Sequence, residues 1–408
     1  MAPYYLYIVK QKTSDNRLAT RISAIPAFAG FAVFGAFWGT WGASIPRIKE
    51  QAGVDDAQLG IALLLIGAGA LPAMLFAGHA IDRWRSRAPT IAVIALGVFG
   101  AASVTLASNL TLLCIGLTVV GAASGATDVA ISSMAGRAEQ ASGRPVIARA
   151  NGVFSSFVVL SSLGTGMLAA LDIPTPLAFV IVTVLSVAAG IVIARADWPP
   201  VSAYSREHSG DTDGAKVRGP LAPLLLIGIL GALAFASENA HQSWSALVFH
   251  DVLHASPASS ALAPAVFAGV VAVTRFSIGA IRPERSRTVL LVGATAAAIG
   301  ATVISVADSI PIAVLGLAIA AAGTGALYPT LLSIVSRNLA ESHRGRATSL
   351  VAMVSYVGFL LGPVYVGFIA QQAGLRGAML GVAALGILLL ILAAPLLKLS
   401  RFTAESTQ

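Results

Sequence analysis

Long apolar runs alternate with short polar connections along almost the whole chain. A helix that crosses a bilayer needs roughly 20 consecutive, mostly apolar residues. Twelve runs reach about that length: 25–45, 59–80, 90–108, 111–134, 147–171 and 176–195, then 220–247, 259–281, 288–307, 312–335, 347–371 and 376–398. All connections are short except one. Residues 196–219 are polar, contain Pro, Gly and Asp, and read as a flexible linker. Residues 1–24 and 399–408 read as polar tails. The pattern predicts an all-α membrane protein of twelve transmembrane helices, arranged as two six-helix pseudo-repeats over 25–195 and 220–398.

Composition supports lipid as the solvent of the outer surface. Only 11% of the 408 residues are charged and 56% are hydrophobic, whereas a soluble domain carries roughly 25% charged residues. The net charge of +8 does not point to nucleic acid, because the basic residues lie in small clusters between apolar runs rather than on one face. Their distribution gives an orientation instead. With the N-terminus in the cytoplasm, 21 of the 26 Lys and Arg residues fall in cytoplasmic segments. Arg47, Lys49 and Arg376 fall outside, and Arg149 and Arg275 fall inside helices near their cytoplasmic ends. Such a bias sets topology, so both termini are expected in the cytoplasm. The first apolar run is long enough to span, and no cleavable signal peptide is read. The single cysteine, Cys114, excludes a disulfide within the chain and any multi-cysteine metal site.

The two halves echo each other at an offset near 200 residues. Arg85 and Arg87 after the second run correspond to Arg285 and Arg287 after the eighth. Arg137 and Arg144 correspond to Arg337 and Arg344, and Gly121 and Gly125 lie near the positions of Gly323 and Gly325. Matches in the same topological places indicate parallel repeats related by an axis along the membrane normal.

Gly78, Asp82, Arg83 and Arg87 stand in the second-to-third connection with the spacing Gly-x-x-x-Asp-Arg-x-x-x-Arg. This segment resembles the loop signature of the major facilitator superfamily. The resemblance implies that the loop latches the two halves at the cytoplasmic face in one state of a transport cycle. The glycine would allow close helix approach, and Asp82 would face a helix N-terminus of the other half. The second copy, from Gly279 to Arg287, is degenerate, with Pro283 and Glu284 near the aspartate position. Stretches around Trp41 to Arg47, Gly125 to Asp128, Gly143 to Ser155 and Glu238 to Ala246 are similar to one branch of that superfamily. It holds poorly characterised bacterial inner-membrane permeases and rhizobial proteins linked to rhizopine, an inositol derivative. The implied protein is a monomeric secondary transporter of the bacterial inner membrane, moving a small solute without a cofactor. Two departures lower the resemblance to drug/proton antiporters. The fifth run has Gly164-Thr-Gly166 without the usual Gly-Pro, and the fourth lacks the arginine of many proton-coupled members.

Charge inside a membrane costs roughly 2.5–3.5 kcal/mol per side chain by insertion scales, so the charges found there are candidates for function. They are Asp128, Arg149, Glu238 and Arg275. Asp128 and Arg149 lie at similar depth beside the cytoplasmic gate and could pair, either for helix packing or for gating or substrate contact. Arg275 is expected to snorkel or pack near its helix end. Glu238 stands with Asn239, His241, Gln242 and Trp244 in the seventh run. This cluster either lines a cavity or marks the wet end of the helix. Desolvation disfavours the charged form of a carboxylate, which suits such a group to carrying a proton. Glu238 is therefore the proton-coupling candidate, with His241 as a possible aid. Trp38, Asn151, Ser155, Asn239, Gln242, Tyr328 and Tyr356 are candidates for the substrate cavity, and Trp41 is expected as an interfacial anchor. No phosphate loop, metal cluster or nucleophile–base pair is found, and no segment is long enough for a nucleotide-binding domain. An enzyme or an ATP-driven pump is thereby excluded. The expected partners are a small polar solute such as a sugar or inositol-like compound, protons and membrane lipid. An efflux permease for an amphiphilic compound is the alternative, and a sensor that binds without transporting is a third reading.

Overall fold

Nothing in the bilayer interior can bond a free backbone N–H or C=O, so each crossing segment must close its own helical ladder. A computed structural model of the chain describes residues 23–196, 221–278, 282–339 and 341–400, and almost all of them are helical. The expected linker beyond Ala196, and most of both tails, lie outside the described residues. The first half contains α1 (Ile25–Ala52), α2 (Asp56–Trp84), α3 (Arg87–Leu106), α4 (Leu110–Ser142), α5 (Val146–Ala170) and α6 (Thr175–Ala194). The second contains α7 (Leu221–Leu247), α8 (Leu262–Ile278), α9 (Ser286–Val306) and α10 (Ile310–Arg337). A π-helical turn, Val248–Val252, extends α7, and a short turn, Pro257–Ser260, precedes α8. The last helical stretch, Glu341–Ser400, is 60 residues long and breaks at Gly374, whose φ of 71° and ψ of 171° are not helical. Sixty residues are about three times what one crossing needs. The break divides the stretch into α11 (341–373) and α12 (375–400), completing twelve helices among the described residues.

Local chemistry fixes the helix ends. Asp55 starts α2 with a reciprocal cap: its carboxylate accepts from the Gln58 backbone N–H at 2.8 Å, and its own N–H donates to Gln58 Oε1 at 3.1 Å. Asn109 starts α4 by accepting from Leu112 N–H at 2.9 Å. Gly53 and Gly143 stop α1 and α4 with φ of 62°, a conformation that costs glycine little. Both of these helices run past their apolar stretches, α1 to Ala52 and α4 to Ser142. Their polar ends find partners outside the hydrocarbon. Arg47, for example, donates to the Ile173 carbonyl at 3.2 Å.

The two halves pack by the same scheme. α1 lies on α5, α2 on α4, and α3 on α4 and α6; α7 lies on α11, α8 on α10, and α9 on α10 and α12. Backbones touch where side chains are smallest. A Cβ on Gly35 of α1 would run into the Phe154 carbonyl of α5, and a Cβ on Gly358 of α11 would run into the Ala232 carbonyl of α7. Large apolar side chains such as Val180, Val184 and Ile191 stay exposed, as befits a surface solvated by lipid.

The core is not evenly shared. Near the loops that lack basic clusters, one continuous apolar core includes Phe37, Trp41 and Leu59 of the first half with Trp244, Phe267 and Val366 of the second. Near the basic loops the halves keep separate cores, one around Phe31, Ile131 and Ile193, the other around Ile227, Leu331 and Leu389. The molecule is therefore sealed at one face and parted at the face that carries Arg83, Arg85, Arg87 and Arg137.

Overpacking a tight interior typically costs 1–3 kcal/mol. Gly358→Val should lower unfolding stability in detergent by at least about 2 kcal/mol on that scale. Gly164→Val, where a Cβ meets nothing within 4 Å, should stay within about 0.5 kcal/mol of the parent.

Candidate functional site

α7 carries the polar patch through the middle of the molecule and does not end there, since the helix continues to Leu247 and then into the π-helical turn. The patch is therefore not the wet start of a loop. Glu238 is 7% exposed. Arg275 of α8 donates to its Oε1 at 2.8 Å. This pairing corrects the expectation that Arg275 merely snorkels or packs: its long side chain reaches from near the end of α8 to the buried carboxylate. Gln242 approaches the same oxygen at 3.4 Å, while Glu238 Oε2 is buried without a partner. Asn239 donates to the Phe359 carbonyl at 2.6 Å and accepts from Ser243 Oγ at 3.0 Å, which ties α7 to α11. His241 is 1% exposed, not solvated, and its ring lies parallel to Phe267 at 6.1 Å. Its Nδ1 is 2.7 Å from the Ser237 carbonyl, so Nδ1 carries the donated proton and Nε2 is left buried and unpartnered.

The unpartnered atoms share a face. Ser237 Oγ, Glu238 Oε2, His241 Nε2, Trp244 Nε1 and Ser245 Oγ all lack partners, and on a helix of 3.6 residues per turn these positions fall within about one third of the circumference of α7. Ser44 Oγ on α1 is buried and unpartnered too. Each such group costs roughly 1–3 kcal/mol.

Each half also carries a matching group of aromatic rings. Phe34 of α1 and Phe154 of α5 have ring centroids 5.6 Å apart; Phe235 of α7 and Tyr356 of α11 are also 5.6 Å apart. These pairs correspond at offsets of about 200 residues, a repeat signal in the sequence that pointed to Phe34, Phe154 and Phe235 but was not read there. Trp38 packs edge-on against Phe34 and Phe37 at 6.3 and 5.4 Å. Tyr328 packs on Phe235 at 4.0 Å, and Phe359 closes the group beside Tyr356. The structure thus brings Trp38, Tyr328 and Tyr356 into two matched ring clusters, one in each half.

Other candidates fall differently. Asp128 is half-buried, feels the Tyr356 hydroxyl electrostatically across the two halves, and makes no ion pair with Arg149, which is exposed. The Asp128–Arg149 pair is thus not formed: Arg149 stays at the surface while Asp128 is partly buried. Asn151 is exposed and donates back to the Ile147 carbonyl at 3.0 Å, and Ser155 is half-buried. Trp41 is 4% exposed inside the shared core, not an interfacial anchor. Gly78, Asp82 and Arg83, expected in the connection, lie in the last turns of α2, where Asp82 approaches Arg137 of the same half at 3.6 Å, not the other half. Gly78 has nothing near its missing Cβ, so the close approach expected there is not made in this conformation. Arg83 and Arg87 are exposed. At the sealed face, Lys49 of α1 meets Asp251 of the π-helical turn at 3.0 Å, and His250 lies 2.7 Å from Asp251 and 3.9 Å from Glu50. Sequence reasoning missed this bridge, whose members are 202 residues apart.

The family model of the Major Facilitator Superfamily matches residues 27–286 and 284–407. An uncharacterised MFS-type transporter of Yersinia pestis is 30% identical over 351 residues, covering 86% of this chain and 88% of that protein. Membrane protein MosC of Rhizobium meliloti is 28% identical over 354 residues, covering 85% and 83%, which agrees with the branch that the motifs resemble. Among solved structures, a D-xylose–proton symporter superposes with a TM-score of 0.73 at 12% identity, over 92% of this chain and 96% of that one. It shares the fold.

Removing one partner of a buried ion pair typically costs 3–5 kcal/mol. The Arg275 side chain is 44% exposed, so solvent reduces the effect. Arg275→Met should lower unfolding stability by about 2 kcal/mol, and adding Glu238→Gln should restore most of it, both read by denaturant unfolding in detergent.

Proposed function

This chain belongs to the Major Facilitator Superfamily and is a multi-pass membrane transporter rather than an enzyme, and on that premise we propose that it moves a small, polar, ring-shaped organic solute, such as a sugar or inositol-like compound, in exchange with or alongside protons. The observation that carries the reading is a buried Glu238 held on one oxygen by Arg275, in a molecule whose halves each hold a group of aromatic rings, Trp38 with Phe34 in one and Tyr328 and Tyr356 with Phe235 in the other. Aromatic faces suit the apolar faces of a sugar or cyclitol ring. Asn239, Gln242, Asn151 and Ser155 supply neutral hydrogen-bonding groups for its hydroxyls. A protonated Glu238 would release Arg275, and a charged one would hold it. The solute and the proton can in this way be linked through one cation, with His241 one helical turn away as an aid.

The solute would enter one half-opened face and leave by the other as the halves rock about this centre. Gly78, Asp82, Arg83 and Arg87, with Asp128 and Arg149, form the gate at the face that is parted here, and the latch closes when that face does. The bias of basic residues supports a cytoplasmic position for this face and for both termini, in a bacterial inner membrane. The ring clusters also favour a second reading, efflux of an amphiphilic compound with an aromatic portion.

A thermal-shift panel of monosaccharides, cyclitols and aromatic amphiphiles on purified protein separates the two readings. With the stabilising compound reconstituted into proteoliposomes, Glu238→Gln should abolish uptake driven by a pH gradient yet keep exchange of labelled for unlabelled solute. pH-driven accumulation equal to the parent would remove Glu238 from the coupling.

A further inference from the structure

Of the four charges that the sequence places inside the membrane, one acid is left unanswered. Glu238 is held by Arg275, and Arg149 is exposed. Asp128 of α4 is half-buried, and among the described residues its carboxylate has neither an ion pair nor a hydrogen bond. A charge inside a membrane is costly and marks a functional site by default.

Helix contacts fix what surrounds it. α2 packs on both α4 and α11. A Cβ on Gly67 of α2 would run into the Leu360 side chain of α11, and a Cβ on Gly125 of α4 would run into Ala70 of α2. Asp128 is three residues after Gly125, and Tyr356 is four residues before Leu360. α4 runs toward the basic loops and α11 runs away from them. Both steps, of about one helical turn, therefore lead toward the parted face. The carboxylate and the phenol stand at one level, both beside α2, and the Tyr356 hydroxyl feels the Asp128 charge. The Tyr328 hydroxyl in turn interacts electrostatically with that of Tyr356. Phe235 joins the two tyrosines, with its ring centroid 4.0 Å from Tyr328 and 5.6 Å from Tyr356. All three rings are half-buried, so they are not spent on filling a closed core.

A carboxylate beside aromatic faces is the chemistry that recognises an organic cation. The acid supplies full charge, and the ring faces carry the negative side of their quadrupole. An anion would be repelled by Asp128, and a neutral sugar would leave the acid's charge uncompensated. We infer that Asp128, with the rings of Tyr356, Phe235 and Tyr328, forms a subsite for a positively charged nitrogen, so that the transported ring compound bears an ammonium group. This rests on the transporter reading above and narrows its solute. A primary ammonium has three donors; Asp128 takes one, and the tyrosine hydroxyls offer acceptors for the others. Asp128 thereby has a role beyond the gate.

The test uses two matched pairs of probes on purified protein in detergent. Glucosamine is compared with glucose, and cyclohexylammonium with cyclohexanol, in which a hydroxyl stands where the ammonium was. The pH keeps both amines protonated, the ionic strength is fixed, and the melting temperature is read against concentration. The ammonium member of each pair should half-saturate at a concentration roughly tenfold lower than its neutral partner. Asp128→Asn should erase that ratio, and Tyr356→Leu should narrow it roughly threefold. If Asp128→Asn does not fold, the Tyr356→Leu ratio decides. The inference is overturned if neither ammonium compound shifts the melt saturably, if the neutral partners match them in the parent, or if the variants keep the parent's ratio. A neutral sugar that is bound and accumulated as well as its amine sinks this subsite alone. Ammonium binding through Asp128 without uptake into proteoliposomes sinks the transporter reading alone.

Discussion

A carboxylate in the middle of a bilayer has no water to turn to, and the contact between Glu238 and Arg275 is how this protein keeps one there. The pair cancels the charge, fixes α8 against α7, and holds a half-exposed guanidinium against a buried carboxylate. Its energetics make it a natural point of control. Attraction between two desolvated charges roughly offsets the cost of removing them from water, so the balance can be tipped by a proton, by a solute hydroxyl, or by water admitted from either face. Around it, polar groups are either spent on backbone, as with Asn239 on Phe359 and His241 on Ser237, or left waiting, as with the unpartnered atoms of α7.

The rest of the fold allows that centre to face two ways. Each half is held together by backbone contact at small residues, which makes it stiff. The apolar core and ionic contacts that the halves share lie toward one face. Stiff units joined at a narrow seam can rock as bodies, whereas a single continuous core would resist it. The repeated ring pairs, Phe34 with Phe154 and Phe235 with Tyr356, show the same construction extending to the site, where each half contributes one wall.

Much of the fold was legible because a bilayer imposes length. Runs of about 20 apolar residues and the bias of Lys and Arg to alternate connections gave twelve helices and two halves. What length does not encode is the rotation of each helix about its own axis. In water, polar residues mark the outer face of a helix; in lipid, Val and Leu face both the core and the solvent, and that mark is lost. Every misplaced residue is an error of rotation or reach. Trp41, expected at the interface, lies in the core, Arg149 stays at the surface apart from Asp128, and Arg275 reaches a glutamate rather than the helix end. Glu238 was found because its polar neighbours were too many for lipid. The Lys49–Asp251 bridge was not found because nothing local links two charges 202 residues apart.

The central claim is that the two halves exchange which face is sealed. The most direct measurement is of paired spin-label distances by electron resonance, on Cys114→Ala protein in lipid nanodiscs. One pair, at Ser108 and Ala373, reports the sealed face, and another, at Arg144 and Arg287, reports the parted face. The account predicts that the parent and the Lys49→Gln variant both populate two states. As the Ser108–Ala373 distance lengthens, the Arg144–Arg287 distance should shorten in the same proportion of molecules. A single unchanging distance at both faces, in parent and variant alike at acid and neutral pH, would contradict it.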